Sequence, residues 1–312
     1  MISAALIFTV SLAAVGIGAN WLTSAAVFFA QRFRIPEQVI GATLLSLATT
    51  LPELAVTVNS AITGHPELAL GNALGSIIFN TGVILSVVCI ISPVQAKVNQ
   101  VKGKYIILGL ALLAAYLVSL NGWISRTEGL ALFALTPALI ITAFRGGHLA
   151  GGHDDPAPQG SLLHNLAIFL GGALLLAVGS RYMVSSAITI ARLLGVQEMV
   201  IGVTIVAAGT SLPEFVTCVV AALRGYRGLS MGNILGANIL NISWVVAAAA
   251  ILAKDGLSTQ TIHIDLAAAA LVTFISFLAL LVYNRLGRLY GISILIAYIC
   301  YVLLRIGPST GS

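Results

Sequence analysis

The sequence predicts an all-α membrane protein whose ten transmembrane helices form two inverted five-helix repeats. Three observations carry this expectation. The chain of 312 residues is 59% hydrophobic and only 8% charged, whereas a soluble domain carries about 25% charged residues. Its apolar residues fall into ten runs of roughly bilayer-spanning length, separated by short polar breaks. Motifs of the first half also recur in the second at one fixed distance: Glu53 to Glu214, Asn80 to Asn241 and Gly41 to Gly202 are each 161 residues apart.

The runs cover 3–30, 37–62, 68–92, 104–121, 127–144, 162–190, 197–223, 229–253, 264–283 and 288–306. Several carry Gly, Pro, Ser or Thr near the middle, which predicts broken rather than straight helices. The N-terminus lacks the basic stretch of a signal peptide and reads as the first span, with no lipidation or organelle address. Alternate loops divide the basic residues unevenly. One side holds Arg32, Arg34, Lys97, Lys102, Lys104, Arg145, Arg224, Arg227, Arg285 and Arg288, and the other Arg126, Arg192, Lys254 and Arg305. Lys and Arg collect in cytoplasmic loops, so both termini are expected outside the cytoplasm. The formal charge of +5 therefore reports orientation, not a nucleic-acid partner. Arg181 falls on a span and is expected to snorkel to the interface.

The expected organisation is a first repeat over 1–145, a short cytoplasmic linker over 146–160 and a second repeat over 161–312. The linker contains His148, His153, Asp154 and Asp155, but its Gly/Pro content reads as a solvated connection. Cys89, Cys218 and Cys300 lie scattered on apolar segments, without metal or disulfide spacing. The 161-residue offset maps the first span onto the sixth. Each repeat thus holds an odd number of spans, and the second copy enters the bilayer inverted. That architecture belongs to secondary transporters, which bind near the midplane where the copies meet.

The repeated motifs supply the chemistry. Thr49-Thr50-Leu51-Pro52-Glu53 returns as Thr210-Ser211-Leu212-Pro213-Glu214. Of the ten acidic residues, only these two Glu lie deep in apolar runs, where an ionisable group costs at least about 2.5–3.5 kcal/mol. Each follows a proline. Pro52 has no N–H, so the carbonyl of Ala48 loses its helical donor, and Pro213 does the same to Gly209. Bare carbonyls in a bilayer must line a polar cavity or bind an ion. With the hydroxyls of Thr49, Thr50, Thr210 and Ser211, each half offers hard oxygen donors within about one turn, a set suited to Ca2+ or Na+. The second motif, Gly71-Asn72 through Asn80 and Gly232-Asn233 through Asn241, adds the amide oxygens of Asn80 and Asn241. Its glycines, Gly71, Gly75, Gly232 and Gly236, permit close helix approach. Asn72 and Asn233 read as interhelical hydrogen-bonding groups or as ligands.

These motifs resemble the two α-repeats of the Ca2+/cation antiporter superfamily, and within it the prokaryotic Na+/Ca2+ exchangers. The resemblance covers nearly the whole chain. It implies a diamond of four sites, with Ca2+ held by Glu53, Glu214 and the oxygens of Thr49 and Thr210, and Na+ sharing both Glu. One flanking Na+ site would use the Ser46 carbonyl, Thr50 and Ser76. Its counterpart would use the Ala207 carbonyl and Ser211, with Asn80 and Asn241 shaping the middle. Three Na+ would exchange for one Ca2+ as the first and sixth spans slide across the rest. It further implies a monomer in a prokaryotic cell (inner) membrane, with the lipid bilayer and the carried ions as partners and no cofactor. Two positions depart from the pattern. Ala237 stands where Ser76 has its hydroxyl, and Asn241 where some members carry Asp. These leave the Na+ stoichiometry and any K+ dependence open.

Protons could replace sodium on the two Glu, giving a H+/Ca2+ exchanger. The hydroxyls favour sodium, which needs coordinating oxygens where a proton does not. A passive channel fits poorly with the repeat and with the lack of a carbonyl-ring filter sequence. No His-Glu-x-x-His, Gly-x-Ser-x-Gly or nucleotide-loop motif suggests an enzyme.

Overall fold

A computed structural model describes residues 2–94, 98–147, 160–196, 207–254, 256–259 and 262–306. The described chain is helical apart from two two-residue strands and one isolated bridge. In order it comprises α1 (Ile2–Phe33), α2 (Glu37–Thr49), α3 (Leu51–Ile62), α4 (Pro66–Ile91), α5 (Val98–Ser119), β1 (Trp123–Ile124), α6 (Arg126–Phe133) and α7 (Leu135–Gly147). The second half follows with α8 (Leu162–Leu193), α9 (Ala207–Gly209), α10 (Leu212–Leu223), α11 (Arg227–Leu252), β2 (Leu257–Ser258), α12 (His263–Tyr283) and α13 (Arg288–Ile306). Among the described residues, α1, α4, α5, α8, α11 and α12 are long and apolar enough to cross a bilayer. The pair α2–α3, bent by 45° at Thr50, makes a seventh if taken as one span.

Elements of the two halves match in length at the offset of the motifs. Helices α1 and α8 each have 32 residues, and α3 and α10 each have 12. The first 14 residues of α4 and of α11 are α-helical, and both helices then widen into a π turn that begins at an asparagine, Asn80 or Asn241. A π turn inserts an extra residue and often marks a functional position.

Small residues let the helix backbones touch. A Cβ on Gly18 of α1 would lie 2.8 Å from the Leu176 nitrogen of α8, and one on Gly172 would lie 2.9 Å from the Gly18 carbonyl. Between α2 and α11 the approach is closer: a Cβ on Gly41 would sit 2.3 Å from the Leu229 oxygen, and one on Gly232 2.4 Å from the Gln38 oxygen. Gly71 and Gly75, expected to serve the same purpose, have no described neighbour within 4 Å of a built Cβ. Residues 197–206, Gly202 among them, and most of the linker lie outside the described residues.

The two halves are joined at their edges. β1 pairs antiparallel with β2, and Val94 forms a single bridge with Leu286, so each half contributes the α4-following or α11-following segment to the other. The largest buried apolar cluster mixes both halves, with Leu74, Ile77 and Leu108 beside Ile234, Ile239 and Leu266.

Two expectations change. The run 127–144 is two helices, because Pro137 cannot donate to the Phe133 carbonyl and the helix breaks at Ala134. Its start is fixed by a capping box between Ser125 and Glu128. Lys104, placed with the loop cations, is instead inside α5 at 1% exposure. Its counterpart at the repeat offset, Asp265 of α12, is also buried and accepts a hydrogen bond from the Tyr301 hydroxyl at 2.6 Å. The span ends thus hold buried charge that a hydropathy pattern assigns to loops. Arg181 is exposed on α8.

Candidate cation site

The site forms where the α2–α3 break and the α9–α10 break meet the glycine-rich starts of α4 and α11. The break is built twice in the same way. Thr50 has φ −82°, ψ −4°, and Ser211 has φ −86°, ψ 9°, a bridge-region conformation that interrupts the helix at Thr50 and over Thr210–Ser211. Pro52 and Pro213 then restart it in the first turn, where a missing N–H costs nothing. Across the first break the backbone bonds run from Thr50 N–H to the Ser46 carbonyl at 2.9 Å and from Leu54 N–H to the Thr50 carbonyl at 3.1 Å. The proline leaves the Ala48 carbonyl without its usual donor.

Each restarted helix places its glutamate in its first turn, fully buried: Glu53 at 0% and Glu214 at 1% exposure. The two carboxyl groups face each other, with Ser211 beside Glu53 and with Thr49 and Thr50 beside Glu214. Of these neighbours, Thr50 reaches hydrogen-bond geometry, its Oγ1 donating to Glu214 Oε1 at 3.2 Å. Both Glu53 oxygens, Glu214 Oε2, Asn80 Oδ1 and Asn241 Oδ1 are buried without a hydrogen-bond partner. The π turn that begins at Asn80 packs on α10, which carries Glu214, and the one that begins at Asn241 packs on α3, which carries Glu53. Five orphaned acceptor oxygens on two repeat-related pairs of residues form the chemical signature of a site for a hard cation, because a buried acceptor left unmatched costs about 1–3 kcal/mol. Among the described residues no three His, Cys, Asp or Glu side chains cluster, so a softer metal finds no ligand set there.

The surrounding polar groups repeat across the two halves. Thr49 Oγ1 donates to Asn233 Oδ1 at 3.3 Å, and Thr210 Oγ1 donates to Asn72 Oδ1 at 3.0 Å. Asn72 in turn donates to Thr57 Oγ1 at 2.8 Å, and Asn233 to Cys218 Sγ at 3.3 Å. Asn72 and Asn233 therefore tie the broken helices to α4 and α11, and their oxygens are engaged by threonines. The symmetry fails on the flanks. Ser211 Oγ donates to Ser76 Oγ at 3.0 Å; on the other flank Ala237 has no hydroxyl to offer, and Thr50 turns to Glu214 instead. Ser46 is fully buried, its carbonyl also accepting from Thr49 Oγ1 at 3.3 Å. Ala207 begins α9.

The sodium/calcium exchanger protein family matches residues 3–144 and 164–307. The chain belongs to this family. Among its relatives, a putative antiporter CaxA of Alkalimonas amylolytica is 32% identical over 289 residues, covering 88% of this chain and 90% of that protein. A sodium/calcium exchanger, MaX1 of Methanosarcina acetivorans, is 23% identical and covers 92% and 94%. The structure superposes on that of the sodium-calcium exchanger NCX_Mj soaked with 2.5 mM Na+ and 0.1 mM Ca2+, with a TM-score of 0.84, 27% identity and complete coverage of both chains.

Within this exchanger, one polar residue of the site escaped the sequence reading. Asn238, fully buried on α11, accepts from Asn80 Nδ2 at 3.0 Å. Its counterpart at the repeat offset is Ile77, so a comparison of the two halves gives it no mate. Its buried position within the Gly232–Asn241 motif was the available signal.

Proposed function

We propose that this exchanger is a secondary antiporter that moves Ca2+ against Na+, three for one, by alternating access. Antiport of Ca2+ against another cation accords with family membership; the sodium coupling and the stoichiometry are this proposal. One observation carries it: two facing carboxyl groups and two amides, all buried and related by the repeat, keep five acceptor oxygens without a hydrogen-bond partner. Ca2+ takes six to eight oxygens at about 2.3–2.6 Å. Glu53, Glu214 and the oxygens of Thr49 and Thr210 would supply most of these, with Asn80 and Asn241 between them. Na+ would occupy the flanks, by the Ser46 carbonyl and Thr50 on one side and the Ala207 carbonyl and Ser211 on the other; Ser76, expected beside Thr50, hydrogen-bonds to Ser211 and so would serve the second flank.

The coupling follows from charge. Two like charges about 4 Å apart repel by about 4 kcal/mol at an effective dielectric of 20. A site emptied of Ca2+ must therefore be refilled by cations before it reorients, which makes the cycle an exchange rather than a leak. The matched helix lengths support ten spans in two inverted repeats over 1–145 and 161–312. The basic loops support extracytoplasmic termini in a prokaryotic inner membrane.

The deciding measurement is 45Ca2+ uptake into vesicles under a Na+ gradient and, separately, under a pH gradient. Uptake under the Na+ gradient alone is expected; uptake driven only by the pH gradient refutes sodium coupling. A second reading, proton–Ca2+ exchange, is favoured by the flank where Ala237 offers no hydroxyl and Thr50 bonds to Glu214, since a proton needs no coordination shell.

A further inference from the structure

Asn80 and Asn241 occupy equivalent places, yet their surroundings differ. The Asn80 amide nitrogen donates to Asn238 Oδ1 at 3.0 Å, and Asn238 Nδ2 donates to Thr81 Oγ1 at 2.8 Å. All three side chains are buried, at 0%, 0% and 3% exposure. At the repeat offset the relay is absent, because Ile77 stands for Asn238 and Ile242 for Thr81. A carboxamide has two nearly isosteric ends, one that accepts from donors and binds cations and one that repels cations. Which end faces the site is decided by the partner that holds the other end. With its nitrogen held by Asn238, Asn80 leaves Oδ1 as the buried end without a protein partner, as are the Glu53 oxygens and Asn241 Oδ1.

We infer that Asn238 is a positioning residue for cation binding: it fixes the Asn80 carboxamide with its oxygen toward the ion, and Thr81 fixes Asn238 in turn. The inference rests on the reading of Asn80 as a site residue and adds an asymmetry to it. One middle amide is oriented by a dedicated relay and the other is not. Thr81 matters because it engages the Asn238 amide nitrogen. Without that acceptor, Asn238 gains by turning its nitrogen toward Asn80 Oδ1, which withdraws that oxygen from the cation.

The test is a double-mutant cycle on the full-length protein in detergent, read as the Kd for Ca2+ by equilibrium 45Ca2+ binding. Asn238→Ile, the residue of the other repeat, is expected to weaken binding about tenfold, the lower end for a partner behind a metal ligand. In an Asn80→Asp background both ends of the side chain are oxygens, so orientation no longer matters and the same substitution is expected to change Kd less than twofold. An equal factor in both backgrounds makes Asn238 a packing residue and overturns the proposal, as does an unchanged Kd in the Asn80 background. Asn238→Asp, which still accepts from Asn80, is expected to bind Ca2+ better than Asn238→Ile, and the reverse order counts against the relay. Should Asn238→Ile elute as aggregate, Thr81→Val enters the same cycle with the same expected pattern. Failure of the underlying site reading looks different: Asn80→Ala would then leave Kd unchanged, whatever Asn238 does.

Discussion

Glu53 and Glu214 follow a proline and open a helix, and their carboxyl groups meet across the interface of the two halves. Glutamine at either position keeps the shape and removes the charge. Glu53→Gln or Glu214→Gln is expected to abolish Ca2+ exchange in vesicles while the detergent-solubilised protein elutes as wild type; wild-type exchange in either would remove that residue from the site. The flanks offer a finer experiment. Ala237 is fully buried at the repeat position of Ser76, whose hydroxyl bonds to Ser211, the repeat counterpart of Thr50. Ala237→Ser restores the hydroxyl that Ser76 holds at the equivalent place in the first repeat. The expected result is a lower Na+ concentration for half-maximal exchange with little change in the Ca2+ requirement, and an unaltered Na+ curve would show that this flank does not bind sodium. The glutamates, threonines and asparagines of the repeated motif were legible because each appears twice. Asn238 and the turn of Thr50 toward Glu214 were not, since both arise where the copies differ and only the fold shows what fills the difference.

Helix packing depends on glycines at backbone contacts. A methyl group on Gly232 would fall 2.4 Å from the Gln38 oxygen, with backbone rather than a flexible side chain in the way. Gly16 on α1 has nothing within 4 Å of a built Cβ. Gly232→Ala is therefore expected to lower stability by about 1–3 kcal/mol through overpacking. Gly16→Ala is expected to be neutral or stabilising by up to about 1 kcal/mol, because it removes a flexible residue from a helix. Thermal unfolding in detergent would check both, and equal effects would remove the backbone contact as the cause. Most helix limits were readable from hydropathy: α4 at 66–91 lies within two residues of the run 68–92, and α13 coincides with the run 288–306. The π turns at Asn80 and Asn241 were not, since no local propensity distinguishes them from the α-helix on either side. They are stabilised by what they pack against, α10 and α3, which lie far away in sequence. The buried Lys104 was misplaced for a related reason: position near a span end resembles a loop until the neighbouring helices are known.

For the whole molecule, the proposed stoichiometry has an electrical consequence. Exchange of three Na+ for one Ca2+ moves one net charge, coupled to the membrane by about 2.3 kcal/mol per 100 mV. Ca2+ entry against Na+ exit then carries one positive charge outward. An inside-positive potential set with a K+ ionophore is expected to speed Ca2+ uptake into Na+-loaded vesicles, and an inside-negative one to slow it. Uptake indifferent to potential would mean an electroneutral cycle of two monovalent cations per Ca2+.

The reciprocal stitching of β1 to β2 and Val94 to Leu286, with one core drawn from both halves, bears on how the protein is made. A ribosome delivers the first half well before its complement. Until then Glu53 lacks its facing Glu214, Asn72 lacks Thr210 and Asn80 lacks Asn238, and hydrocarbon tolerates such groups poorly. The newborn N-terminal half must wait beside the insertion machinery, or in contact with water, for its twin to arrive.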